Sequence, residues 1–327
     1  MTAAVAVSTV AAAGLSAGRL RKVDSVVLKG APRADQVVAF SGGFVVREAD
    51  FRRPGTQQIA VYDANGNLES RVGRYGPGPF EFDRLVGIAL GPDRAIWAVD
   101  LYSKVIRYSL QGRPLSTTLI QNPGFEPQAI ALVPRRRVFY LAGCQPLHYY
   151  LDLGCSLLHE YSIAGRAFQR SFLPTAPVAV RDHLFPLENY FLAAGQNGDL
   201  FFADGPVFEL DRLNPRTGSI RRFPIRSSRA QPPGPLLTGQ QAAYYERRYR
   251  EACLIQALFA AGRVVLVQLR VPAEHEGCLE AFLGSGRQIA TDLLSPGRLV
   301  GTDEENFLFA QQGPQGVRLT EWRFTGQ

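Results

Sequence analysis

Short apolar stretches recur along the chain, separated by turns built from Gly, Pro, Asp and Asn. The clearest unit places apolar residues at 86–90, 95–100, 104–110 and 114–120, with breaks at 91–94 and 111–113. These stretches are rich in β-branched and aromatic side chains, which suit a pleated surface, and Gly or Pro marks each break. The pattern predicts strand, tight turn, strand, loop, strand, tight turn, strand.

The same order of elements returns at 37–72, 128–173, 190–225 and 255–293, with an insertion inside the 128–173 unit. A sixth unit supplies only three strands, at 298–302, 306–310 and 317–324. Its missing fourth strand is available at the other end of the chain, in residues 23–28. Closing a ring in this way removes an open sheet edge. Repeats of roughly 40–50 residues with four strands each are the mark of a β-propeller. The expectation is an all-β, six-bladed β-propeller over residues 19–327, its last blade closed by an N-terminal strand. A β-helix would repeat at a shorter period, and a sandwich would not repeat a four-strand unit.

Residues 227–253 do not fit the repeat. Pro232-Pro233-Gly234-Pro235 is a stiff extended stretch, and Thr238-Gly239-Gln240-Gln241 has the form of a capping box, predicting one short inserted helix. Tyr244, Tyr245 and Tyr249 fall on that helix among Arg247, Arg248 and Arg250. One reading is a helix packed on the propeller flank by its tyrosines. The sharper one makes Tyr244, Tyr245, Arg247, Arg248 and Tyr249 a partner-docking surface, because Tyr and Arg are favoured interface anchors.

The stretch 59–120 carries a family resemblance. Tyr62-Asp63-Ala64-Asn65-Gly66, the segment Val72-Gly73-Arg74-Tyr75-Gly76-Pro77-Gly78-Pro79-Phe80 and the strands that follow resemble NHL-type repeats. They are more similar still to the bacterial six-bladed β-propeller family, in which a glycine-rich segment links adjacent blades. The resemblance covers about one and a half blades and implies the fold; it implies little about activity, since such propellers serve as binding platforms. The glycines at 73–78 do not make a phosphate loop, which needs a helix after it; a strand follows here.

Composition narrows the function classes. The 327 residues carry a formal charge of +7, nearly all of it arginine. Arg135-Arg136-Arg137 and Arg221-Arg222 lie where strands and turns are predicted, with no interleaved aromatic platform, so a solvated basic face is expected and nucleic acid is not. Residues 1–18 are rich in Ala and Val, lack charge and precede Arg19, Arg21 and Lys22, resembling the apolar part of a secretory signal or a membrane-contacting anchor. This favours an exported, periplasmic or extracytoplasmic protein.

Export agrees with an even cysteine count. Spacing favours local disulfides, Cys144 with Cys155 across the insertion at 144–155, and Cys253 with Cys278; the first would lower unfolded-state entropy by roughly 3 kcal/mol. Connectivity stays open at this point. No zinc, haem or nucleophile motif is present, and no cofactor is expected. His159 alternates with apolar residues and reads as a structural side chain, and Asp100 and Asp204 read as turn caps. The inner strands are apolar and small, leaving few groups for acid–base work. The expected role is a non-catalytic scaffold or accessory subunit, partnered by other polypeptides of a larger extracytoplasmic or membrane-associated complex. The alternative is a metal-dependent hydrolase or lactonase acting at the central channel.

Overall fold

The structure is a computed structural model. It describes residues 18–48, 56–102, 104–120, 125–144, 156–164, 167–174, 189–233, 244, 247, 250–272, 274 and 277–326. After β1 (Arg19–Lys29), the first blade is β2 (Gln36–Phe40), β3 (Gly43–Glu48), β4 (Gln58–Asp63) and β5 (Leu68–Val72). The second is β6 (Leu85–Leu90), β7 (Ile96–Asp100), β8 (Lys104–Tyr108) and β9 (Pro114–Leu119). The third is β10 (Glu126–Val133), β11 (Val138–Cys144), β12 (Ser156–Ser162) and β13 (Phe168–Pro174), with a 3₁₀ turn at Pro134–Arg136. The fourth is β14 (Tyr190–Ala194), β15 (Leu200–Asp204), β16 (Val207–Asn214) and β17 (Ser219–Pro224). The fifth is β18 (Leu254–Ala261), β19 (Val264–Arg270), β20 (Cys278–Leu283) and β21 (Gln288–Leu294). The sixth is β22 (Arg298–Asp303), β23 (Asn306–Gly313) and β24 (Gly316–Thr325), completed by β1.

Each blade is an antiparallel meander. An even number of strands returns the chain to the face it left, so every inner strand starts on the same side of the ring. The inner strands β2, β6, β10, β14, β18 and β22 touch in succession, and β22 closes on β2 through a short parallel bridge, Val37 with Gly301 and Val38 with Thr302. Closure is completed by β1, which pairs antiparallel with β24 from Arg19↔Thr325 to Lys29↔Gly316.

The core is six layers, one in each gap between blades. Strand β7 shows why: Ile96 and Ala98 face the first blade, while Trp97 and Val99 face the third. Central strands buried on both faces therefore read as continuous apolar runs, whereas the outer strand β17 is almost wholly exposed. Between β5 and β6 the chain crosses from blade to blade through Gly73, at φ +71°, where a Cβ would fall 2.4 Å from Phe82. Only glycine fits there. In the segment between the fourth and fifth blades, Tyr244, Arg247, Arg250 and Glu251 are helical, as the capping box predicts.

Candidate functional site

A cavity of about 550 Å³ opens along the axis, and polar side chains gather where the inner strands begin. Arg84, Glu126, Gln128, Asn189 and Arg298 stand at or just before these starts, Asp35 just before β2, and Arg47 and Arg270 at the ends of the adjacent second strands. Further along the same strands the walls become apolar, with Val86, Ala129, Phe191, Leu192, Ala257 and Phe259.

Four inner strands carry a β-bulge close to their starts. The extra residue is Val86 in β6, Gln128 in β10, Gln256 in β18 and Val300 in β22. A bulge frees ladder groups and re-aims a side chain. Both effects appear here. The Val86 carbonyl accepts from Arg47 Nη1 at 2.6 Å, and Gln128 and Gln256 turn into the channel.

Amide side chains then replace the missing backbone ladder between blades. Gln36 bonds both the N–H and the carbonyl of Ile88 at 2.9 Å, and Gln57 accepts from the Leu85 N–H at 2.6 Å. Gln128 accepts from the Tyr190 N–H at 3.0 Å, and Gln268 joins the Leu299 N–H to the Gly297 carbonyl, each at 2.8 Å. These groups hold the mouth in shape.

Among the described residues, arginines outnumber carboxylates in the cavity lining. The cavity lining sets Arg47, Arg84, Arg270 and Arg298 against Asp35 and Glu126. Asp35 Oδ1 accepts from both Arg33 and Arg298, the latter at 2.8 Å. Burial pushes the Arg47 guanidinium down to about 10; Asp35 opposes this and the Arg298 and Arg33 charges reinforce it. Arginine and amide groups with apolar walls behind them are the equipment of recognition.

The other candidate residues lie elsewhere. Cys253 and Cys278 are both free thiols, which corrects the expected disulfide between them. Strand β19 separates them, because Leu254 pairs with Arg270 and Leu269 with Cys278. Two strand spacings put them roughly 10 Å apart, beyond the ~7 Å limit for a bridge. Cys155 and the Cys144 side chain lie outside the described residues, as do residues 1–17. On the inserted helix, Tyr244 packs on Ala252 and Leu254 while Arg247 is exposed; Tyr245, Arg248 and Tyr249 lie outside the described residues.

Cys278 instead sits with Glu280 and Asp292, their ligand atoms within 4.8 Å of one another. Glu280 accepts from Gln288 Nε2 at 2.8 Å and from the Asp292 N–H at 3.1 Å. Asp292 accepts from the hydroxyls of Ser227 and Ser228, tying the 227–230 turn to the fifth blade. His159 is buried as expected, bonded to the Ser156 carbonyl and the Ser171 hydroxyl at 2.9 Å each. Asp100 takes the Arg84 N–H at 3.1 Å, the capping role read from sequence.

The channel residues were not picked out from sequence. Asp35, Arg84, Glu126 and Asn189 stand one or two residues outside the predicted strands, while Gln128, Gln256 and Arg298 sit singly at or near the first residues of predicted strands. Their recurrence at the same point of successive units was the available signal.

Fold and mouth together define a class: a six-bladed β-propeller with a polar-mouthed axial cavity. Residues 53–134 match a family model described as a 6-bladed beta-propeller, in agreement with the resemblance carried by 59–120. The chain is similar to a structure of a duf4221 family member from Bacteroides vulgatus, at 9% identity and TM-score 0.65, covering 96% of this chain and 100% of that one. A Bacteroides fragilis protein classed as exported matches at 12% identity and TM-score 0.65, over 94% and 96% of the two chains. A virginiamycin B lyase from Staphylococcus aureus, solved as an inactive variant with quinupristin, matches at 13% identity and TM-score 0.52, over 90% and 81%. At these identities the likeness is one of fold. No curated protein matches the sequence significantly.

Proposed function

We propose that this protein is an exported, non-catalytic binding protein, acting as a scaffold or accessory subunit in an extracytoplasmic or membrane-associated assembly. One observation carries the reading: the axial mouth presents arginine and amide groups held by inter-blade hydrogen bonds, with apolar walls behind them. Such a surface recognises, and its blade-to-blade bonding keeps it rigid. The apolar, charge-free start of the sequence and the fold shared with a Bacteroides fragilis protein described as exported support the location.

A metal-assisted hydrolase at the channel is poorly supported by the electrostatics. Asp35 already lies between Arg33 and Arg298, so a divalent cation placed against it would face guanidinium charge on two sides. Gentle purification from native membrane and periplasmic fractions, followed by identification of co-migrating chains, tests the scaffold reading. Stable co-migration with defined polypeptides is expected. A monodisperse, partner-free protein in both fractions would sink it.

A further inference from the structure

Because every inner strand starts at the mouth, the turns after the first and third strands of each blade all lie on the opposite face. On the third to fifth blades these turns are 134–137, 195–199, 214–218, 262–263 and 284–287. They are linked across the blades. Arg136 Nη2 donates to the Pro215 carbonyl at 3.5 Å, Arg212 Nη1 to the Ser285 carbonyl at 3.5 Å, and the Gly284 N–H to the Arg263 carbonyl at 2.8 Å. Five arginines of this band, Arg135, Arg137, Arg216, Arg263 and Arg287, are exposed. Among the described residues their side chains make no ion pair or hydrogen bond. The carboxylate of the band, Asp199, is taken by Arg212, whose Nε lies 2.9 Å away. The band ends at the sixth blade, where the Gly262 N–H donates to the Glu304 carbonyl at 2.8 Å and Glu304 and Glu305 are exposed.

We propose that this face docks on an anionic lipid surface, its five guanidinium groups against the headgroup phosphates. Charge complementarity asks for an anion, and the band is a row of turn tips that suits an extended anionic surface. None of the five turns carries an exposed large apolar side chain. A protein interface would want an apolar or aromatic centre there, and single-stranded nucleic acid would want stacking rings. The path of the chain points to lipid. Arg19 opens β1 opposite Thr325, the last residue of β24, so β1 begins on this same face. The uncharged apolar residues 1–17 join the fold there, at Gly18 beside Phe324. An apolar segment and a basic patch are two signals that together hold a protein at a membrane. The proposal deepens the membrane-associated part of the reading above and leaves the mouth facing the aqueous side.

Co-sedimentation of the full chain with phosphatidylcholine vesicles, with and without phosphatidylglycerol, tests the idea. Charged vesicles should bind at least about tenfold more tightly than neutral ones, and rising salt should erase the difference. At roughly fivefold per arginine, Arg135→Gln/Arg216→Gln should weaken binding to charged vesicles by about tenfold or more. Arg74→Gln/Arg318→Gln makes the same charge change at exposed positions beside the mouth-side connections, and should weaken it less than about threefold. Circular dichroism checks folding; should the first variant misfold, Arg263→Gln/Arg287→Gln tests the same band on the fifth blade. Equal binding to charged and neutral vesicles would overturn the proposal, as would band variants that lose no more than the mouth-side one. Tighter binding of duplex DNA or polyglutamate than of charged vesicles at the same ionic strength would also overturn it. Loss of vesicle binding with continued co-migration of protein partners would remove this proposal and leave the scaffold reading standing; vesicle binding by a partner-free protein would do the reverse.

Discussion

Arg298 Nη1 lies 2.8 Å from Asp35 Oδ1, joining the first residue of β22 to the residue before β2 across the seam where the ring closes. The same pair sits in the lining of the axial cavity, so seam and site share one ion pair.

The two partners are unequal. The Asp35 side chain is 2% exposed and that of Arg298 is 47% exposed. Asp35→Asn removes the buried carboxylate that accepts from Arg33 and Arg298 and offsets the Arg47 charge, and breaking a buried ion pair in this way costs about 3 kcal/mol. Arg298→Gln removes a solvated charge and should cost under about 1 kcal/mol. Urea unfolding of both variants checks this; equal losses would contradict the asymmetry.

Ring closure by β1 makes a second prediction. Leu28 is fully buried in the layer between the sixth and first blades, near Val317 and Leu319. Leu28→Ala should destabilise by about 3 kcal/mol. Val23, on the same strand, is 51% exposed, and Val23→Ala should stay within about 0.5 kcal/mol. If both substitutions prove neutral, β1 is not a working part of the last blade.

The blades were legible because each strand repeats a simple burial rule, and even the split sixth blade followed from counting strands. Gly73 could be read as a crossover glycine for the same reason: its neighbours are strands, with no helix after it. The Cys253–Cys278 pairing failed because sequence spacing does not show that β19 lies between them. The mouth was hidden for a third reason. Gln128 and Gln256 reach the axis through bulges, and a one-residue bulge leaves no mark in a period-two pattern.

His159 should make stability pH-dependent. Burial pushes its pKa down to about 4. Between about pH 4 and 6.5 the unfolded chain therefore binds a proton that the native protein does not, so stability is full above 6.5 and falls as the pH drops towards 4. A shift of this size corresponds to about 3 kcal/mol. His159→Gln should flatten that limb of the stability–pH curve relative to the unaltered protein. An unchanged slope would place the titration elsewhere.

Glu280 should act with the opposite sign. Burial raises its carboxyl to about 8 against favourable hydrogen bonding, and the neighbouring Asp292 charge adds to the rise. Above about pH 4.5 the unfolded chain has released this proton while the native protein still holds it, so the contribution is full below 4.5 and is lost as the pH climbs through 8. Glu280→Gln keeps the size of the side chain and its neutrality, but its amide nitrogen cannot accept one of the bonds now supplied by Gln288 Nε2 and the Asp292 N–H. The variant should therefore be less stable by about 1 kcal/mol at low pH. It should be more stable, on the order of 2 kcal/mol, at pH 8, where the native carboxyl begins to ionise in a buried site. The two stability–pH curves must cross. Parallel curves would show that the proton is not held on Glu280.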